Sequence, residues 1–186
     1  MDWTTSLAEQ LDWHWKAQAR PRLVGLTDAE YFWEPVDGCW SIRPRDQAAG
    51  TPIGAAEFVI DYAFPEPTPA PVTTIAWRLA HIIVGILGER NATYFDGPAM
   101  SYADFDYPGT ADRALELLDD FYARWNSGVR ALGDAELAER CREPGFEESS
   151  MAELVLHINR ETIHHLAEIA LLRDLYAWSG PERSDR

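Results

Sequence analysis

A carboxylate and an imidazole occupy apolar positions in the C-terminal run Glu161-Thr-Ile-His-His165. Read as one long helix opened by Ser150, that region carries an apolar stripe through Met151, Leu154, Ile158, Ile169 and Leu172 in steps of three and four. Glu161 and His165 complete the stripe, one turn apart, so their side chains point the same way. Core-facing groups of this kind are costly unless something satisfies them. A bound metal ion does so economically, and it needs at least one more ligand from another element.

The third ligand is His81, set in the apolar segment Ile75 to Leu87. Helical bundles build metal sites from inward side chains on facing helices, which would bring His81 to Glu161 and His165. Two imidazoles and one carboxylate suit Zn²⁺, with a coordination position left for water or substrate. The same donor set holds Fe²⁺, and Ni²⁺ or Mn²⁺ also fit it. Of the other histidines, His14 falls on the inner stripe of the first helix and is the best substitute ligand. His157 lies beside the C-terminal stripe, and His164 lies further round, as an outer hydrogen-bond partner or simply exposed.

These residues need long helices to position them. The first is expected from about Thr5 to Val24, through Leu7, Leu11, His14 and Gln18, and Thr27-Asp-Ala-Glu30 has the form of a capping box for a short turn. The second begins at Thr73 or Thr74 as N-cap and runs to about Phe95. It is apolar nearly all round, which marks a buried helix. Gly85 and Gly88 weaken it, and close contact or ligand room would explain them. Thr110 caps the third, which carries Leu115, Leu118, Trp125, Val129 and Leu132 at core spacing and ends at Gly133-Asp134. Ser150-Met-Ala-Glu153 forms a capping box for the fourth, which continues to about Trp178, with a frayed tail from 179 to 186.

Between the first and second helices the chain changes character. Asp37-Gly38 reads as a turn, with Phe32-Trp33 and Cys39-Trp40-Ser-Ile42 as short extended pieces around it. Asp61 to Pro71 contains four prolines and cannot be helix. The expected architecture is therefore all-α, a four-helix bundle in one domain over residues 1–186, with a long crossover between helices 1 and 2.

Composition narrows the function. A net charge of −15, from 31 acidic and 16 basic residues, argues against nucleic acid, whose phosphates require clustered Lys and Arg. The two cysteines, Cys39 and Cys141, form no CxxC and no disulfide framework. The opening Met-Asp-Trp-Thr-Thr lacks the form of a signal peptide, and no stretch suits a membrane span, so a cytoplasmic location without membrane contact is expected. No Gly-x-Ser-x-Gly, P-loop or dinucleotide fingerprint occurs.

The segment Thr74-Ile-Ala-Trp77-Arg-Leu-Ala-His81 and the spacing His157-x3-Glu161-x3-His165, followed by Ala167-Glu168, resemble the DinB/YfiT-like metal-binding four-helix bundles. In that family the central position of the C-terminal motif is commonly His. The Glu161 variant is similar to the metal-binding domain of mycothiol-dependent maleylpyruvate isomerase, where His, Glu and His hold zinc. Gly38-Cys-Trp-Ser-Ile42 resembles the family's Trp-Ser segment, here separated from His81 by a long insertion. The resemblance implies His81, Glu161 and His165 as ligands, a homodimer, and a transferase or isomerase that uses a low-molecular-weight thiol of the mycothiol type. Its partners would be a small-molecule thiol and an electrophilic substrate. Two other readings use the same site: a metal-dependent hydrolase, with Glu168 or His164 as base, and a non-enzymatic, stress-associated metal-binding protein.

Overall fold

Local capping signals set where the helices begin. In the structure, a computed structural model that describes residues 2–48 and 51–180, Asp2, Thr27, Thr74, Thr110 and Ser150 each accept a backbone N–H at a helix start. Ser150 and Glu153 close a reciprocal capping box. The helices are α1 (Trp3–His14), α2 (Arg20–Arg22), α3 (Asp28–Tyr31), α4 (Ile75–His81), α5 (Glu89–Tyr94), α6 (Ala111–Ala131), α7 (Asp134–Ala138) and α8 (Met151–Ser179). A π-helical stretch, Trp15–Ala19, joins α1 to α2, and another, Ile82–Gly88, joins α4 to α5. Each starts immediately after a histidine, His14 and His81. The tail beyond residue 180 lies outside the described residues.

Hydrogen bonds between elements give the directions. Thr4 donates to the Leu132 carbonyl and Arg20 pairs with Asp119, so α1 and α6 run antiparallel. Asn159 donates to the Leu7 carbonyl and Arg22 pairs with Asp174, so α1 and α8 run parallel. Arg78 pairs with Glu168, which sets the start of α4 against the C-terminal half of α8. The apolar faces meet in one core that includes Leu11, Leu79, Ile83, Leu87, Leu118, Trp125, Val155, Ile158 and Ile169. Leu79, Ile82, Ile83, Val84 and Leu87 are all fully buried, as the all-round apolar pattern of that segment requires.

The crossover differs from expectation. Phe32 caps α3 instead of opening a strand. The strands are β1 (Ile42–Pro44) and β2 (Phe58–Ile60), antiparallel with Ile42 opposite Ile60. Asp37-Gly38 is a turn, with Gly38 at φ 78°, but it does not join those strands. Trp40 instead bridges to Thr73, ahead of the α4 cap. The reason is range: β1 gains its partner from beyond residue 50, and no local turn signal encodes that pairing. Asp61 then ties the crossover down, its carboxylate accepting from the Ser41 N–H and Arg43, both at 2.9 Å. Among the described residues, no helix is long and apolar enough to cross a membrane.

Candidate metal centre

α8 presents His165 to α4, and α4 presents His81 to α8. The two imidazole centroids lie 4.8 Å apart, nearly edge to face at 86°. His165 is buried, with 7% of its surface exposed. Its Nδ1 stands 2.6 Å from Glu168 Oε2 and 3.3 Å from an Arg78 guanidinium nitrogen. One ring nitrogen cannot donate to the carboxylate and accept from Arg78 at once. The short carboxylate contact fixes Nδ1–H as donor and leaves the Nε2 lone pair facing away from Glu168. Arg78 Nε also pairs with Glu168 at 3.2 Å, holding that carboxylate in place.

His81 repeats the arrangement with a different partner. Its Nδ1 lies 2.6 Å from the Tyr102 hydroxyl, and among the described residues no hydrogen bond engages its Nε2. Trp77 stacks on the His81 ring at 5.4 Å, Trp40 stands 6.0 Å from Trp77, and Arg78 lies 5.5 Å over the Trp77 ring. The Trp77 N–H donates to the Asp61 carbonyl at 3.0 Å, so the crossover anchors this aromatic wall.

Burial and neighbouring cations keep both imidazoles neutral. Desolvation drives His81 down to about 3, helped by His165 once that ring is protonated and by the charges of Arg78 and Arg90. Desolvation lowers His165 as well, against the opposing pull of Glu168. Neutral imidazole is the form that binds a cation. Burial raises the Tyr102 phenol, so it stays protonated.

Glu161 departs from expectation. The inner stripe of α8 passes through Ile158, Thr162, His165 and Ile169, all buried, and Thr162 takes the innermost place. Glu161 sits 100° round the helix from Thr162, at the rim of the stripe, and its side chain is 30% exposed. Its Oε2 lies 3.9 Å from His165 Nε2, while Oε1 pairs with Arg160 at 3.3 Å and faces His157 at 3.7 Å. His81 and His165 therefore meet, and Glu161 stands beside His165. Among the described residues, the group whose donor atoms all lie within 4.8 Å of one another is His164, His165 and Glu168, a possible metal-binding set on one helix. His164 is exposed, 3.4 Å from Glu168 Oε1. His14 is half-buried on α1, and its buried Nε2 has no hydrogen-bond partner among the described residues.

A family model, the DinB superfamily, matches residues 10–169. The chain belongs to the DinB superfamily. No curated protein and no solved structure matches it.

Two neighbours of these histidines, Tyr102 and Arg78, have no role in the sequence reading, and Glu168 enters it only as a base for hydrolysis. Tyr102 comes from the loop after α5, and nothing local signals its reach to His81. Arg78 lies three residues before His81, and Glu168 three after His165. Those i, i+3 spacings are legible signals that a polar neighbour shares a helix face with each histidine. Glu168, expected as a base for hydrolysis, is instead engaged by His165 and Arg78.

Proposed function

We propose that this chain is a metal-dependent enzyme, a thiol S-transferase or isomerase, whose ion is held by His81, Glu161 and His165. The observation that carries the reading is the pairing of two neutral imidazoles from separate helices, His165 buried and His81 half-buried. Each has Nδ1 tied to an oxygen, and among the described residues neither Nε2 has a hydrogen bond. Outer partners of this kind fix the tautomer and orientation of metal-ligating histidines. Two donors about 2.1 Å from one tetrahedral ion lie roughly 3.4 Å apart, and the 3.9 Å between His165 Nε2 and Glu161 Oε2 is close to that.

The single-helix group of His164, His165 and Glu168 fits a cation less well. Its 2.6 Å N···O contact is a hydrogen-bond length, and the Arg78 guanidinium already lies on both His165 Nδ1 and Glu168. A cation placed there would face a fixed positive charge at close range. On the Nε2 side the Glu161 carboxylate lies 3.9 Å away.

The donor set is borderline and favours Zn²⁺, with Ni²⁺ or Fe²⁺ also accommodated. When bound, such an ion would lower the pKa of a small-molecule thiol and make it a nucleophile near neutral pH. The chain's own residues supply the rest. Trp77 and Trp40 stand beside His81 and would line the approach to the ion. Glu168 and Arg78 hold the His165 ring. A cavity of about 290 Å³, lined by Arg90, Cys141, Glu143, Phe146 and His157 among others, lies one helical turn from Glu161 and offers room for part of a substrate. Hydrolysis is less well served, because Glu168 lies on the Nδ1 side of His165.

The same reading makes residues 1–186 one domain, a four-helix bundle of DinB type working as a homodimer in the cytoplasm. It would act on small molecules and not on nucleic acid or membranes. The test is turnover of monobromobimane or maleylpyruvate with mycothiol, using chelator-stripped protein and the same protein reloaded with zinc. The expected result is turnover in the reloaded protein alone, lost in His81→Ala. Absence of metal-dependent turnover would overturn the enzymatic reading.

A further inference from the structure

The loop between α5 and α6 is keyed into the helix that carries His81. A Cβ at Gly85 would lie 2.1 Å from the Tyr102 hydroxyl oxygen and 2.9 Å from Tyr102 Cζ. A Cβ at Gly88 would lie 2.5 Å from the Ile83 carbonyl oxygen of its own helical stretch and 2.9 Å from Met100 Cγ. Two side chains of one loop therefore seat on two glycines of the π-helical stretch Ile82–Gly88, directly after His81. Non-α turns of this type often mark functional sites. Tyr102 is pinned from the other side as well, since the Tyr107 hydroxyl donates to its backbone carbonyl at 2.9 Å. Among the described residues, the hydroxyl so placed has one hydrogen-bond partner, His81 Nδ1 at 2.6 Å.

We infer that Tyr102 is a positioning residue of the metal centre, holding His81 with Nε2 turned toward the ion, and that Gly85 is glycine to admit its hydroxyl. The inference rests on His81 being a ligand. With an ion at Nε2, the imidazole keeps its proton on Nδ1 and donates it to the Tyr102 oxygen. That bond fixes the ring's tautomer and tilt, as Glu168 does for His165. It also links the loop to the occupancy of the centre. The ion orders His81, and His81 holds Tyr102 in its notch.

The experiment measures zinc affinity by competition with a chromophoric chelator for wild type, Tyr102→Phe and Gly85→Ala. The Phe variant keeps the ring and removes only the hydroxyl. Zinc should bind Tyr102→Phe about 10- to 100-fold more weakly, with an unchanged far-UV circular dichroism spectrum. Gly85→Ala should weaken zinc in the same way, and if it fails to fold, Tyr102→Phe alone decides. Two further readouts separate positioning from a merely structural role. The visible spectrum of the cobalt-substituted protein should change in Tyr102→Phe, and zinc should slow hydrogen exchange in residues 96–110 of wild type but not of that variant. If wild type binds zinc and Tyr102→Phe matches it in affinity and cobalt spectrum, the inference is overturned and the metal reading stands. If wild type binds no zinc, both are overturned.

Discussion

Removing the His81 imidazole should flatten the acid side of the stability profile of the metal-free protein. In the unfolded chain this group takes up a proton near its ordinary value of 6.5, while in the folded protein it does so only near 3. Between those values the unfolded state binds more protons, so stability is greatest above pH 6.5 and falls as the pH drops toward 3. One group shifted this far contributes a loss of about 2 kcal/mol between about pH 7.5 and about pH 5. His165 and His14 are shifted in the same direction by burial and steepen the fall. Most carboxylates remain ionised above about pH 5, so the window isolates the histidines. The assay is urea unfolding in the presence of chelator, at both pH values, for wild type and His81→Gln. The variant should lose about 2 kcal/mol less than wild type over the interval. Equal losses in the two proteins would refute the claim that the folded protein holds His81 neutral.

Other perturbations reach different parts of the account. Glu168→Gln removes the charged partner of His165 Nδ1 and should weaken zinc binding about 10-fold or more, measured by chelator competition. Asn159→Leu leaves the Trp125 N–H without its acceptor and takes a donor from the Leu7 carbonyl, so urea unfolding should show a loss of about 2 kcal/mol. Cys39 and Cys141 are both buried, and burial raises the Cys39 thiol, so native protein should react with a thiol reagent only as fast as it opens. Both should label at once in denaturant.

Sequence disclosed those features that local physical chemistry encodes. The N-caps at Thr27, Thr74, Thr110 and Ser150 lie where the capping patterns place them, because a cap is satisfied within three residues. His165 is legible because a polar residue interrupts an apolar stripe, and His81 because it interrupts a helix apolar all round. Glu161 was placed too far inward, since one step of 100° separates it from Thr162, and a stripe of mixed three- and four-residue steps does not resolve that angle. The pairing of Ile42–Pro44 with Phe58–Ile60 and the reach of Tyr102 to His81 are non-local, so no window of sequence contains them. The glycines at 85 and 88 were visible as oddities in a helix. For Gly85 the reason is the Tyr102 hydroxyl seated against it, and for Gly88 the Ile83 carbonyl together with Met100.

Elemental analysis of the purified protein beside His165→Ala tests the central claim most directly. The account predicts roughly one transition-metal ion per chain in wild type and far less in the variant. Equal metal content in the two proteins would contradict it.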